Sequence, residues 1–424
     1  MIASDAQRAV EAVWRIEAAR LIAGLTRLAG DVGLAEDLAQ DAFVAALEHW
    51  PRTGVPERPG AWLMATAKRR GIDVLRRRRR FEEREAAVGH ELEAAQASAA
   101  PEPGARLDDP FGDDVLRLIF TACHPVLPAD ARVALTLRLV GGLTTAEIAR
   151  AYLVPEATLA QRIVRAKRAL ADAGVPFEVP AGAALGPRLA SVLEVVYLIF
   201  NEGYAATAGE DWTRPELCED ALRLGRMLAE LAPAEPEVHG LVALMEIQAS
   251  RLRARVGADG APVRLADQDR SHWDRLLIRR GLAALERSEQ LGGRGPYVLQ
   301  AAIAACHARA PSIEDTDWRR VALLYGALAE AAPSPVVELN RAVAVSMVEG
   351  PAAALTLLDG IAGEPAMQRY HLLHGVRGDL LQKLGRHGEA AAAFERAAAM
   401  TGNAGERSLM LERASRCRTG RPEG

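Results

Sequence analysis

The sequence predicts an all-α protein, on three observations. Half of its 424 residues are apolar, yet only 4% are aromatic, and strands favour aromatic and β-branched side chains. Alanine, the strongest helix former, recurs in runs along the chain. Apolar residues return at spacings of three and four, the period of a half-buried helix, rather than in alternation. The length suggests two to four domains.

Taken in order, residues 8–50 read as two or three helices. Leu21, Ile22, Leu25 and Leu28 form one apolar stripe, and Leu34, Leu38, Phe43, Val44 and Leu47 form another. Glu36, Asp37, Gln40 and Asp41 cluster on the second. Pro51 to Pro59 is a proline-rich loop. Ala61–Arg80 is a helix that grows more basic toward Arg76–Arg80. Adjacent arginines repel one another and point to a polyanionic partner, the plainer alternative being a solvated helix end. Residues 85–110, rich in Ala, Glu and Pro, read as an acidic linker. A second helical module spans 111–172. A linker follows over 174–187, punctuated by Gly174, Pro176, Pro180, Gly182, Gly186 and Pro187.

The second module holds the most informative stretch, Gly142–Leu170, which reads as a helix-turn-helix. Thr144 and Glu147 have the spacing of a capping box. Tyr152-Leu153-Val154 makes a tight connection, and Pro155 sits where a second helix starts. In that helix Leu159, Ile163, Ala166 and Leu170 fall on one stripe. Thr158, Gln161, Arg162, Arg165, Lys167 and Arg168 occupy the other faces. Such a helix buries one side and offers hydroxyl, amide and guanidinium groups to a major groove.

Charge is divided unevenly. The net charge is −4, so the whole molecule is no general polyanion binder. Residues 1–84 carry 15 Lys+Arg against 12 Asp+Glu and residues 111–170 carry 8 against 5, +3 in each case. The linker 85–110 carries 1 against 6, and 171–424 carries 28 against 33, −5 in each case. Cys123, Cys218, Cys306 and Cys417 are widely spaced, which fits a reducing cytoplasm rather than a disulfide scaffold. The adjacent Cys123-His124 pair gathers no further ligands, so no metal is expected. The apolar run near Val192–Phe200 is interrupted by Glu194 and is shorter than a membrane span. No secretory h-region follows the N-terminus. Phosphate-binding glycine loops, HExxH and nucleophile elbows are absent, so neither an enzyme nor a cofactor is expected.

The tail beyond 188 continues as helices. Gly385, Ala390, Phe394 and Ala397 have the offsets of a tetratricopeptide-type helix pair, and Asn340–Leu358, with Gly350, gives a degenerate second copy. Asn201-Glu202-Gly203-Tyr204 and Asp267-Gln268-Asp269-Arg270 are polar clusters that either line a site or cap turns.

Together the first 172 residues resemble the extracytoplasmic-function group of bacterial sigma factors. Ala35–Phe43 resembles the region 2 helix that docks on the β′ clamp helices of RNA polymerase, with Glu36, Asp37, Gln40 and Asp41 as its contact residues. Trp62-Leu63, Ala67-Lys68, Asp73 and Leu75-Arg76-Arg77 resemble the helix that engages the −10 element. Gly142–Leu170 resembles the region 4 helix-turn-helix that reads the −35 element. Arg69 and Ala160 depart from an Asn and a Lys usual in the group.

The resemblance implies domains at 8–84 (region 2) and 111–172 (region 4), with core polymerase (β′ clamp helices and β flap) and promoter DNA as partners. For the −10 element it implies Trp62, Lys68, Arg69, Arg70, Arg76 and Arg77, Trp62 either stacking on a base or anchoring its helix. For the −35 element it implies Gln161, Arg162 and Arg165 at base edges, Lys167 and Arg168 at phosphates, and Thr158 at either. FNEGYAAT, DQDRSHWD and SPVVELNRAV in 188–424 resemble the TPR-like extension of a sigma-factor subgroup, which implies a regulatory role through a protein or small ligand. The competing expectation is a helix-turn-helix regulator with a TPR sensor that does not bind core polymerase.

Overall fold

A computed structural model describes residues 5–89, 110–152, 154–206, 208–209, 212–257, 260–368 and 370–419. The chain divides into two compact units, 1–195 and 196–424. Most of the expected acidic linker, residues 90–109, lies outside the described residues, as does Leu153 of the helix-turn-helix connection.

The first unit contains α1 (Asp5–Ala29), α2 (Val32–Thr53), α3 (Pro59–Gly89), α4 (Pro110–Ala122), α5 (Ala129–Leu139), α6 (Thr145–Ala151), α7 (Glu156–Asp172) and the start of α8 (Leu185–Tyr204). Asp31 caps α2, accepting from the Leu34 amide at 2.7 Å, and Gly54 (φ +82°) ends it. Helices α1, α2 and α3 pack on one another. Leu21, Ile22, Leu25, Leu38 and Phe43 are buried there as the periodicity predicts. Leu28, Val44 and Leu47 are instead exposed. The buried side of α2 is built largely from Ala35, Ala39, Ala42, Ala45 and Ala46, small residues that admit neighbouring helices closely.

Polar contacts of Trp14, Arg27 and Glu36 join the two sequence modules within this unit. The Trp14 indole of α1 donates to the Gly142 carbonyl at 2.8 Å. Arg27 of α1 lies 3.3 Å from the fully buried Asp114 carboxylate of α4. Glu36 of α2 meets Arg138 of α5 and Lys167 of α7. The first half of α8 belongs here too. Arg188 donates to the Phe120 carbonyl at 2.7 Å, and Arg132 pairs with Glu194 at 2.9 Å.

With the short turn before it, α8 extends over Gly182–Tyr204, longer than the apolar run read from the sequence. By length and composition it could cross a membrane (mean hydropathy 1.6). Its Val192, Leu193, Val195, Val196 and Ile199 side chains are nonetheless buried in protein, as in an ordinary core helix.

The second unit is an array of helices joined mostly by short turns, with a longer connection over 250–274 between the second and third that contains three 3₁₀ turns: α9 (Pro215–Leu231), α10 (Pro236–Ala249), α11 (Arg275–Gln290), α12 (Pro296–Arg309), α13 (Trp318–Ala331), α14 (Pro335–Val348), α15 (Pro351–Ile361), α16 (Pro365–Gln368), α17 (His371–Lys383), α18 (His387–Met400) and α19 (Ala404–Thr419). Proline opens α9, α10, α12, α14 and α15, where its missing N–H costs nothing. Ala390, Phe394 and Ala397 are fully buried between α17, α18 and α19 as the repeat pattern predicts. Two short strands the pattern does not reveal, Ala208–Gly209 and Gly402–Asn403, pair in parallel and join the beginning of this unit to its end.

Candidate nucleic-acid interface

The helix-turn-helix forms as its residues dictate. The Thr144 amide donates to the Glu147 carboxylate at 2.8 Å, and the Glu147 amide donates to the Thr144 hydroxyl at 3.1 Å, completing the capping box. Pro155 is the N-cap of α7, one residue earlier than the helix proper. Leu159, Ile163, Ala166 and Leu170 are all buried and fix the orientation of the helix. Thr158, Gln161, Arg165 and Arg168 are exposed, with Arg165 3.5 Å from the Gln161 amide oxygen.

Two other residues expected at DNA face the protein. Arg162 is half-buried and pairs with Asp130 at 3.1 Å. Lys167 pairs with Glu36. Val164, not among the expected contacts, is 63% exposed on the same side as Gln161 and Arg165. Its apolar side chain suits contact with a thymine methyl.

On α3, Lys68, Arg69, Arg70 and Arg76 are exposed. Arg70 reaches α2, lying 3.2 Å from the Asp41 carboxylate and donating to the Asp41 carbonyl at 3.0 Å. Trp62 is half-buried and meets Trp50 edge-on with ring centroids 5.5 Å apart. The side chains of Arg77 to Arg80 lie outside the described residues.

The acidic cluster on α2 is not one exposed face. Asp37 and Asp41 are exposed and Gln40 is half-buried, whereas Glu36 is 2% exposed. The Glu36 carboxylate accepts from Arg138 Nε at 2.6 Å and from Gln40 Nε2 at 2.6 Å, and forms its ion pair with Lys167. Burial pushes this carboxyl up, and Lys167 and Arg138 reverse that push, holding it below its ordinary range. The remaining outer face of α2 combines Asp37 and Asp41 with the exposed Val44, Leu47 and Glu48.

Elsewhere the polar motifs hold structure. Asp269 accepts from the Ser271 amide, and Asp274 caps α11. Arg270 is buried and donates to the carbonyls of His307 (2.6 Å) and Ala310 (2.7 Å). Glu202 pairs with Arg214. Cys123 is buried beside Thr136, and burial raises its thiol to about 11. No group of three potential metal ligands is found among the described residues.

Comparison with known proteins places these features in a family. Residues 15–81 match sigma-70 region 2, residues 117–170 match sigma-70 region 4, and residues 188–289 match a family of unknown function, DUF6596. An uncharacterized protein of Rhizobium meliloti, R00370, is 48% identical over 384 residues, covering 90% of this chain and 89% of that one. A probable ECF RNA polymerase sigma factor of Mycobacterium tuberculosis, SigI, is 29% identical over 168 residues, 39% of this chain and 56% of its own. No solved structure matches significantly. With regions 2 and 4 in order, each carrying its characteristic helices, the chain belongs to the extracytoplasmic-function group of the sigma-70 family and bears a DUF6596 extension.

Proposed function

We propose that this sigma factor binds core RNA polymerase and directs it to specific promoters, with α3 at the −10 element and α7 at the −35 element. The carrying observation is the face of α7 built from Thr158, Gln161, Val164, Arg165 and Arg168, exposed while the opposite stripe is buried. Arg165 and Gln161 are assigned to base edges and Arg168 to phosphate. Arg162 keeps its base-edge role, and Lys167 its phosphate role, only once their pairs with Asp130 and Glu36 separate. On α3, Lys68, Arg69, Arg70, Arg76 and Arg77 are assigned to the backbone near the opening duplex, and Trp62 to anchoring against Trp50.

Docking on the β′ clamp helices is assigned to the outer face of α2. Asp37 and Asp41 supply charge there and Val44 supplies the apolar centre, with Gln40 at the edge. Glu36 is assigned to holding α2 against α5 and α7. Region 4 is assigned to the β flap, and the extension to regulating the factor in the cytoplasm. The test is co-purification of the full chain with core polymerase. Core binds the wild type, and Asp37→Arg/Val44→Arg, both at exposed positions, loses at least tenfold in affinity. Wild-type affinity in that variant refutes the docking face. Failure of the wild type to bind core favours a helix-turn-helix regulator outside the holoenzyme.

A further inference from the structure

Within the 196–424 unit, a cavity of about 480 Å³ opens among α10, α12, α13, α14 and the end of α8. Arg251, just past α10, lines it and is 9% exposed. Its Nη2 donates to Gln248 Oε1 at 2.6 Å and to the Tyr204 hydroxyl, and its guanidinium faces the Trp273 ring at 5.5 Å. Its Nε is buried without a hydrogen-bond partner, and no carboxylate forms an ion pair with it among the described residues. A buried guanidinium is ordinarily matched by an anion, because leaving it unmatched is costly.

The surroundings deepen the imbalance. Arg255, also 9% exposed, lies 3.8 Å from the Tyr204 ring centroid and makes no ion pair among the described residues. Arg270 is held by backbone carbonyls; Glu314 and Asp315 act on it only from a distance. His307 lines the cavity with a buried, unpartnered Nδ1. Burial, Arg251 and Arg270 push that imidazole down to about 4, so it is neutral near pH 7. Among the described residues, the cavity thus lies beside three guanidiniums met by π faces, an amide, two hydroxyls and backbone carbonyls rather than by a paired carboxylate.

The remaining walls state what kind of anion fits. Ile247, Ile303 and Val337 are aliphatic, Tyr197 donates to Gln300 Oε1 at 3.2 Å, Gln300 Nε2 donates to the Pro296 carbonyl at 3.2 Å, and Asn340 brings an amide. Of the three guanidiniums, only that of Arg251 lines the space, which matches a single carboxylate rather than a doubly charged phosphate. The walls are about half polar and half apolar, so polar groups can orient a charged head while the apolar side chains hold its body, as in a small-molecule site. We propose that this cavity binds a small organic carboxylate, its head on Arg251 and its aliphatic body against Ile247, Ile303 and Val337. That such a ligand controls transcription rests on the regulatory reading above; the binding itself does not.

The test titrates the full chain with isovalerate, its neutral amide isovaleramide, and inorganic phosphate. Binding is read from the NMR signal of the His307 ring, assigned with His307→Gln. Isovalerate is expected to saturate in the millimolar range and to raise the His307 titration midpoint from about 4 toward the ordinary histidine range. Isovaleramide is expected to bind at least tenfold more weakly. Arg251→Met removes the charge and Asn340→Trp plugs the mouth from an exposed position, and each is expected to lose at least tenfold in affinity. Should Arg251→Met fail to fold, Asn340→Trp still decides. The proposal is overturned by no saturable response to isovalerate up to roughly 100 mM, a hundredfold above a millimolar Kd. Equal binding of the amide, tighter binding of phosphate, or unchanged affinity in Asn340→Trp also overturns it. These readouts need no polymerase, so their failure is distinct from failure of the sigma-factor reading.

Discussion

Replacing Glu36 with glutamine removes one negative charge from a site where two cations meet it. The Glu36 side chain is 2% exposed, Arg138 is 14% exposed and Lys167 is 19% exposed. Removing one partner of a buried pair costs about 3–5 kcal/mol, because the remaining charge stays buried without compensation. Arg138 and Lys167 keep some access to water, which places the loss near the lower end, about 3 kcal/mol. For a unit of this size each kcal/mol lowers Tm by roughly 2–4 °C, so Glu36→Gln lowers it by roughly 6–12 °C. Thermal unfolding of the full chain, followed by circular dichroism and tryptophan fluorescence, measures this.

The pH dependence of the same variant has a definite sign. The folded-state carboxyl titrates below its ordinary value of 4.5, so its stabilisation is fully present above that value. It is lost as pH falls through the depressed folded value. The gap between wild type and Glu36→Gln is therefore wide at neutral pH and closes in acid. Adding Lys167→Met to Glu36→Gln recovers part of the loss, since one stranded cation goes with it. A Tm within about 1 °C of wild type at neutral pH, far inside the expected shift, refutes a stabilising role for the Glu36 charge. So does a gap that does not narrow in acid.

Three further outcomes follow from particular residues. Arg165→Ala costs about 1–3 kcal/mol and relaxes preference at one −35 base pair, while Arg168→Ala weakens all sequences alike and lowers the salt slope by about 1; holoenzyme competition over promoter variants separates them, and identical behaviour contradicts the assignment. Gly378→Ala places a Cβ 2.5 Å from the fully buried Phe394 ring, so urea unfolding should show a loss of about 1–3 kcal/mol; unchanged stability contradicts the close packing of α17 on α18. Burial raises the thiols of Cys123 and Cys218 to about 11 and about 12, so iodoacetamide near pH 8 should modify neither until the chain is unfolded; rapid labelling of native protein counts against their burial.

What the sequence revealed was mainly local. The Thr144–Glu147 box and the Leu159, Ile163, Ala166 and Leu170 stripe depend on neighbours three and four residues apart, and both form as read. The Ala390, Phe394 and Ala397 spacing succeeded for the same reason. Failures came where a helix has more than one partner. Helix α2 packs against α1 and α3 and also meets α7, so one apolar stripe cannot describe it. Its alanines turn inward, Val44 and Leu47 turn outward, and Glu36 is buried by cations lying more than a hundred residues along the chain. No pattern within α2 encodes that contact. The same limit hid the pairing of Ala208–Gly209 with Gly402–Asn403. It also hid the cavity at Arg251, whose walls come from five helices.

On the proposed function, this chain gives core polymerase promoter specificity through two grips. The direct measurement is reconstituted run-off transcription from a promoter identified by chromatin mapping. Core polymerase with the full chain is expected to yield a transcript of defined start, core alone none, and Arg165→Ala at least about fivefold less, from a loss of about 1 kcal/mol or more. Promoter binding by the chain without core, together with no transcript when core is supplied, contradicts the account.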